Sequence, residues 1–203
     1  MSAVREIVLE VKRRLGDVNT PVPSEVDVVA AMNRVLLGLF NYGVLVRADV
    51  LQKSAVFTIN ADSRADFPDG AAAVLAAVDC GSGRELVAVS PLEGARMNAL
   101  NYGGAYGYLA DGRGVTVYPL VSSATEVLAV YIPAFKRVTA RSDETPFCPA
   151  LENAVIEGTV RLLRGEVQSI ADTEFVASMP FGNMVMQYFR GIAHTDICGR
   201  APW

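Results

Sequence analysis

Only a few residues in this chain have the types and spacing to do chemistry. Residues 101–119 read NYGGAYGYLADGRGVTVYP, with five glycines between Gly103 and Gly114. Such density fits a loop that wraps a phosphate, or a set of tight turns between strands. A phosphate loop needs a strand before it and a helix after it, so that helix N–H groups face the anion. Here a helix precedes the glycines, strand-like runs follow, and no Lys-Ser/Thr pair closes the motif. Asp111-Gly112 reads instead as a hairpin turn, with Tyr106 and Tyr108 alternating before it and Val115 and Val117 after it. Gly112 is expected at positive φ, and Pro119 is expected to end the second strand. The glycines are turns, and the segment implies no cofactor.

Other candidates for chemistry are sparse. Cys80, Cys148 and Cys198 are odd in number and form no CxxC pair, so neither a disulfide framework nor a zinc site is suggested. His194 is the only histidine. Its position near Cys198 in a polar tail favours ordinary surface over a nucleophile pair. A dispersed enzyme site would have to combine Asp111 with Asp79 or Glu85, but aspartates in turns usually serve backbone hydrogen bonds. With no constellation of acid, base, nucleophile or metal ligand, the chain is read as a non-enzyme with no cofactor.

Composition narrows the classes further. The chain has 203 residues, 51% hydrophobic and 20% charged, enough for a real core and unlike a disordered protein. Its formal charge of −4 argues against a nucleic-acid clamp, which would concentrate Lys and Arg. Lys12-Arg13-Arg14 is the densest basic run and reads as a solvated helix end favoured by the macrodipole. No apolar run is expected to reach the roughly 18–20 residues of a membrane span, and the charged N-terminus is unlike a secretory signal. A cytosolic origin is therefore expected, unless a larger assembly carries the protein elsewhere.

These residues are positioned by a regular succession of elements. Val4, Ile7, Val8, Val11 and Leu15 are at helical spacing over residues 3–15, with Gly16 as the stop. After VNTPVP, Ser24 and Asp27 form a short capping box for a second helix. Its stripe is Val28, Val29, Met32, Val35, Leu36, Leu39 and Phe40, and Gly43 is expected to close it. VLVRADVL (44–51), AVFTINAD (55–62), AVLAAVD (73–79) and RELVAVS (84–90) read as strands. Ser90-Pro91-Leu92-Glu93 opens a short helix. EVLAVYI (126–132) is apolar on both faces, the mark of a central strand. A helix begins near Pro149, and a last helical region, roughly 167–192, is interrupted at Pro180.

The expected fold class is α+β: a helical bundle from the N- and C-terminal helices (1–43 and 147–192) with an inserted antiparallel β-rich lobe (44–146). Residues 193–203 form an extended C-terminal tail.

The order of motifs resembles the head–tail adaptor proteins of tailed bacteriophages. The residues that carry the resemblance are RELVAVSPL (84–92), YLADG (108–112), VTVYP (115–119), VYIP (130–133) and PALENAVI (149–156). It spans residues 1–190. Tyr102 stands where the family often has tryptophan, and Pro180 and Gly182 interrupt a final helix that is usually continuous.

The resemblance implies a structural virion protein at the head–tail junction, present in the host cytoplasm before assembly. It would form a homo-oligomeric ring of about twelve copies. Its partners would be the portal protein, a tail or nozzle protein and further copies of itself. DNA would pass without specific binding, and no membrane would be involved. Another neck ring, such as a stopper or tail terminator, and a small cytosolic enzyme are the alternatives.

Tyr102, Tyr106, Tyr108 and Tyr118 crowd one β segment and are candidate subunit contacts, with filling of the lobe's own core as the competing role. Met184, Val185, Tyr188, Phe189 and Ile192 share one helical face, and a polar tail has little reason to end in tryptophan. Because the adaptors reach the portal with their C-terminal segment, the resemblance makes Phe189, Ile192, Ile197 and Trp203 candidate portal-binding residues.

Overall fold

The computed structural model describes residues 4–16, 23–59, 63–100, 104–121, 124–139, 143, 145, 147, 151–166 and 182–190. The chain is mixed α+β, with five α-helices and two sheets among these residues. It divides into two compact units, one of residues 1–50 and 135–203, the other of residues 51–134.

In the first unit, α1 (Val4–Gly16) buries Val4, Ile7, Val8, Val11 and Leu15, the stripe its spacing predicts. Helix α2 (Glu25–Leu45) starts at Ser24, whose Oγ accepts from the Asp27 N–H at 3.2 Å. The Asp27 carboxylate accepts from the Ser24 N–H in return, which completes the capping box. Val28, Met32, Val35, Leu36 and Leu39 of α2 are fully buried, and the helix packs on α4 (Glu152–Leu163). By length and composition alone α2 could cross a membrane (21 residues, mean hydropathy 1.5), contrary to the sequence expectation that no run was long enough. Its burial against neighbouring helices accounts for that apolarity.

Gly43 does not end α2. The helix runs on to Leu45, and Val46 N–H donates to Tyr42 O at 3.1 Å. Arg47 then turns the chain at φ 52, and Asp49–Leu51 form a single 3-10 turn. The strand expected over 44–51 is therefore absent, because Val44 and Leu45 continue the helical period and tertiary context overrides their β propensity.

Helix α4 ties to α1 through charge. Arg14 pairs with Glu10 at 2.9 Å on its own helix and with Glu157 of α4 at 3.5 Å. Arg164 also donates to the Arg14 carbonyl at 3.2 Å, satisfying an end group of α1. The start expected at Pro149 falls at Glu152; residues 148–150 lie outside the described part. Of the helical region expected over 167–192, the described residues show α5 (Gly182–Phe189). Phe189 packs edge-on against Tyr42, Phe147 and Tyr188, with ring centroids 5.1–5.8 Å apart.

The second unit holds both sheets. β1 (Lys53–Ile59), β3 (Ala71–Asp79), β4 (Arg84–Glu85) and β8 (Thr125–Pro133) form one, in the order β1-β8-β3-β4, all antiparallel. β2 (Arg64–Asp66), β5 (Val87–Ala88), β6 (Gly107–Ala110) and β7 (Gly114–Tyr118) form the other, in the order β2-β7-β6-β5. β8 is an interior strand, as its two apolar faces predict.

RELVAVS is not one strand. It splits into β4 and β5 around Leu86, whose N–H donates to Ala77 O, so this run passes from one sheet to the other. The sheets enclose a shared interior of Ile59, Phe67, Tyr108, Val115, Val117, Val127, Ala129 and Tyr131. Helix α3 (Pro91–Leu100) packs on β6 and β7 of the second sheet, at the start that SPLE predicts.

The unit boundaries differ from the sequence reading on both sides of the β segment. Residues 44–50 belong with the helices because α2 continues through Leu45 and the Val46, Arg47 and Ala48 N–H groups bond back onto its last turn. Residues 135–139 belong there because they bind α2: Asn33 of α2 makes two hydrogen bonds to Val138.

Candidate functional site

The hairpin around Asp111 joins β6 to β7. The loop between β6 and β7 is held by one side chain, since Asp111 Oδ1 accepts from the N–H groups of Arg113 and Gly114, both at 2.8 Å. Gly112 is not at positive φ; the residues that are include Gly70 and Gly83. The turn gets its shape from an aspartate clasping the two N–H groups that follow it, and needs no left-handed glycine. Neighbouring chain grips it from outside. Phe67 N–H donates to Arg113 O at 2.7 Å and Ala71 N–H to Gly112 O at 3.0 Å. The glycine that the fold requires here is Gly114, where a Cβ would collide with Ala65 O of paired strand β2.

Arg64 completes this corner. Its guanidinium donates to both oxygens of Asp111, at 2.9 and 3.0 Å, and to Asp66 at 2.9 Å. Arg64, Asp66, Phe67, Gly70, Asp111 and Arg113 line an open cleft of about 610 Å³. Arg64, followed by the Arg113 and Gly114 N–H groups, holds the Asp111 carboxyl well below the usual carboxylate range. The same pairing with Asp111 and Asp66 holds the Arg64 charge firmly. A carboxylate so deeply committed to donors is a poor proton acceptor at neutral pH. The corner fixes a turn.

The partners that an enzyme reading would give Asp111 are elsewhere. Asp79 ends β3 and lines a separate cleft of about 390 Å³ with Cys80, Gly104, Thr125 and Glu126. Its carboxylate accepts from Gly81 N–H at 3.2 Å and from the Ser82 hydroxyl, and so caps the turn into β4. Glu85 is exposed on β4. Asp79 and Asp111 do not share a cleft. Among the described residues no group of three or more His, Cys, Asp or Glu is placed to hold a metal. His194, Cys148 and Cys198 lie outside the described residues.

The candidate subunit contacts are mostly used by the β unit itself. Tyr108 is a core residue, 6% exposed, and so is not available as a surface contact. Tyr118 is half-buried beneath α3, with its ring against Gly94. Tyr106 is half-buried, and the Arg84 guanidinium lies 4.6 Å from its ring centroid. Tyr102 lies outside the described residues. Of the candidate portal contacts, Phe189 is 1% exposed and belongs to the interior of the helical unit, a correction to its expected role. Ile192, Ile197 and Trp203 lie outside the described residues.

Exposed apolar side chains occur on α3 and just after β7. Leu92 and Leu100 of α3 are both 63% exposed, and Leu120, whose N–H donates to Asn98 Oδ1 of α3 at 2.8 Å, is exposed as well. Gly94 is the only buried residue of α3. The signal was present in the sequence: PLEGARMNAL has leucines with no matching inward stripe. On comparison, no protein family matches this chain and no curated protein matches it.

Proposed function

We propose that this chain is a structural virion protein that joins the portal of a tailed bacteriophage to its tail. In this reading it forms a ring of about twelve copies and continues the DNA channel. The finer fold assignment belongs to the same proposal: a bundle of N- and C-terminal helices with an inserted β lobe. The observation that carries the reading is the division of the chain. Helices from both ends lie in one compact unit, and the strands of residues 51–134 lie in another, interrupting the first in sequence. A helical unit interrupted in sequence by a β unit is the organisation the adaptor resemblance implies, and it supports the reading.

The exposed leucines of α3 and its flank, not the tyrosines, are the surface this reading assigns to neighbouring subunits. The C-terminal residues through Trp203 are assigned to the portal. The test uses phage particles assembled with and without the chain. Without it, DNA-filled heads that lack tails should accumulate, and cryo-EM of complete particles should show its ring in the neck. Infectious particles formed in its absence, or a neck with no density for it, would refute the proposal.

A further inference from the structure

We propose that the free edge of β1 binds a second copy of itself, two chains pairing antiparallel about Val56 and joining their sheets into one. β1 ends its sheet, with β8 on one side and no strand among the described residues on the other. This edge is long and undefended. β2, β4 and β5 also end sheets, but they have only two or three residues each. β1 has seven residues in unbroken register with β8, and Ser54 to Thr58 include no charge, proline or glycine. Folded proteins usually shorten, charge or bulge such an edge away.

Which backbone groups point outward follows from the pairing. Cys80 N–H donates to Glu126 O at 2.9 Å, so Glu126 and, by alternation, Leu128 and Val130 bond towards β3. Val127, Ala129 and Tyr131 then bond towards β1, where they meet Phe57, Ala55 and Lys53. The N–H and C=O groups of Ser54, Val56 and Thr58 are left facing outward. All three residues are exposed, Val56 by 57%.

A second β1 fits this edge in one register. Pairing Val56 with Val56 sets Ser54 of each copy opposite Thr58 of the other, so every outward group finds a partner. A slip of one residue would set outward residues against inward ones, and a slip of two would carry one outward residue of each strand past the other's end. The side chains agree. On the outer face the centre is a valine pair flanked by two Ser–Thr pairs. On the face towards the sheet interior Ala55 meets Phe57, small against large. Both are only half-buried, whereas Ala129 and Val127 opposite them on β8 are fully buried. The interior is therefore open along β1, and a second strand closes it. Lys53, the one charge of β1, falls opposite Ile59, which leaves the two lysines roughly 20 Å apart. A two-fold pair satisfies both edges at once and closes at two copies. It differs from the head-to-tail contact between successive members of a ring, and it does not rest on the virion reading.

Sedimentation equilibrium of the intact chain, over roughly 1 μM to 1 mM, tests the pair. The 21.7 kDa monomer should give way to a species of twice that mass as concentration rises. Val56→Lys sets like charges directly opposite one another at an exposed position, so it should keep the fold and weaken the dimer at least about tenfold. Val56→Thr keeps a β-branched side chain and should weaken it less. Amide hydrogen exchange locates the contact. The N–H groups of Ser54, Val56 and Thr58 should become protected as concentration rises, while those of Ala55 and Phe57, already bonded to β8, exchange slowly throughout. A chain that stays monomeric, or a dimer indifferent to Val56→Lys, would overturn the proposal. Exchange at Ser54, Val56 and Thr58 that does not change with concentration would overturn it equally, whatever the size of the assembly. Should Val56→Lys fail to fold, the exchange pattern of the unaltered chain decides the matter.

Discussion

Replacing Gly94 by alanine should destabilise the protein, although the same change in most helices would stabilise it. Gly94 is in α3, where alanine is favoured over glycine by about 1 kcal/mol. A Cβ at this position would stand 2.8 Å from Cζ of Tyr118 and 2.9 Å from both Cε atoms. Real Cβ contacts do not come that close, so either the ring or the helix must move. The ring cannot yield freely, because Tyr118 ends β7 and its carbonyl accepts from Tyr106 N–H at 2.8 Å. Overpacking of this kind costs about 1–3 kcal/mol. Set against the propensity gain, Gly94→Ala should cost up to about 2 kcal/mol net. With Tyr118→Ala already in place the obstructing atoms are gone, and Gly94→Ala should then stabilise by about 1 kcal/mol. The coupling between the two sites is the overpacking cost itself, about 1–3 kcal/mol. Urea denaturation followed by far-UV circular dichroism measures all four corners of the cycle. Gly16→Ala is the control: nothing lies within 4 Å of a Cβ there, so it should be neutral or stabilising. If Gly94→Ala stabilises the unaltered protein as much as it does the Tyr118→Ala protein, the close packing of α3 on β7 is wrong.

Further expectations follow from the same contacts. Ser90 Oγ accepts from Glu93 N–H at 3.3 Å and the Glu93 carboxylate accepts from Ser90 N–H at 2.8 Å, so Ser90→Ala should cost about 1 kcal/mol in the urea midpoint. Asp111→Ala should lower the thermal midpoint more than Gly112→Ala, because the carboxylate holds the turn and a Cβ on Gly112 meets nothing closer than 3.6 Å. Equal effects would return the turn to its glycine. Phe147 is 2% exposed and packs edge-on against Phe189, so Phe147→Ala should cost about 3–5 kcal/mol, read by thermal denaturation. Glu10 is held down from 4.5 to about 2 by hydrogen bonds from Arg13 and Arg14. A depressed folded value contributes stability above the ordinary carboxylate range that is lost as pH falls through about 2. The gap in urea midpoint between the unaltered chain and Glu10→Gln should therefore close from about pH 6 to about pH 2, and a gap that widens would contradict the pairing. Deleting residues 195–203 should abolish portal attachment and leave the thermal midpoint unchanged; normal attachment would remove the tail from the proposed interface.

Local pattern determined much of this protein. The apolar spacing of α1, the Ser24–Asp27 box of α2, the Ser90–Glu93 start of α3 and the two-faced character of β8 are each written in a few neighbouring residues. Each stands in the structure because its physics is local: periodicity, caps and the missing N–H of proline act within a turn or two. The turn at Asp111-Gly112 was legible in place but not in mechanism. Asp111 shapes it through the two N–H groups that follow, and the outside grip of Phe67, Ala71 and Arg64 reaches it only once the chain has folded. Non-local pairing decided the rest. Val44 and Leu45 have the composition of a strand, yet α2 carries on through them. RELVAVS has the composition of one strand, yet it divides between two sheets because Leu86 still bonds to Ala77 of β3 while Val87 and Val89 donate to Tyr106 O and Tyr108 O at β6. The tyrosines of residues 106–118 and Phe189 have the side chains of an interface, and burial assigns Tyr108 and Phe189 to interiors and Tyr118 to the underside of α3. A sequence can show that a residue is apolar or aromatic, but which surface it covers is a property of what packs against it, and only the tertiary structure supplies that partner.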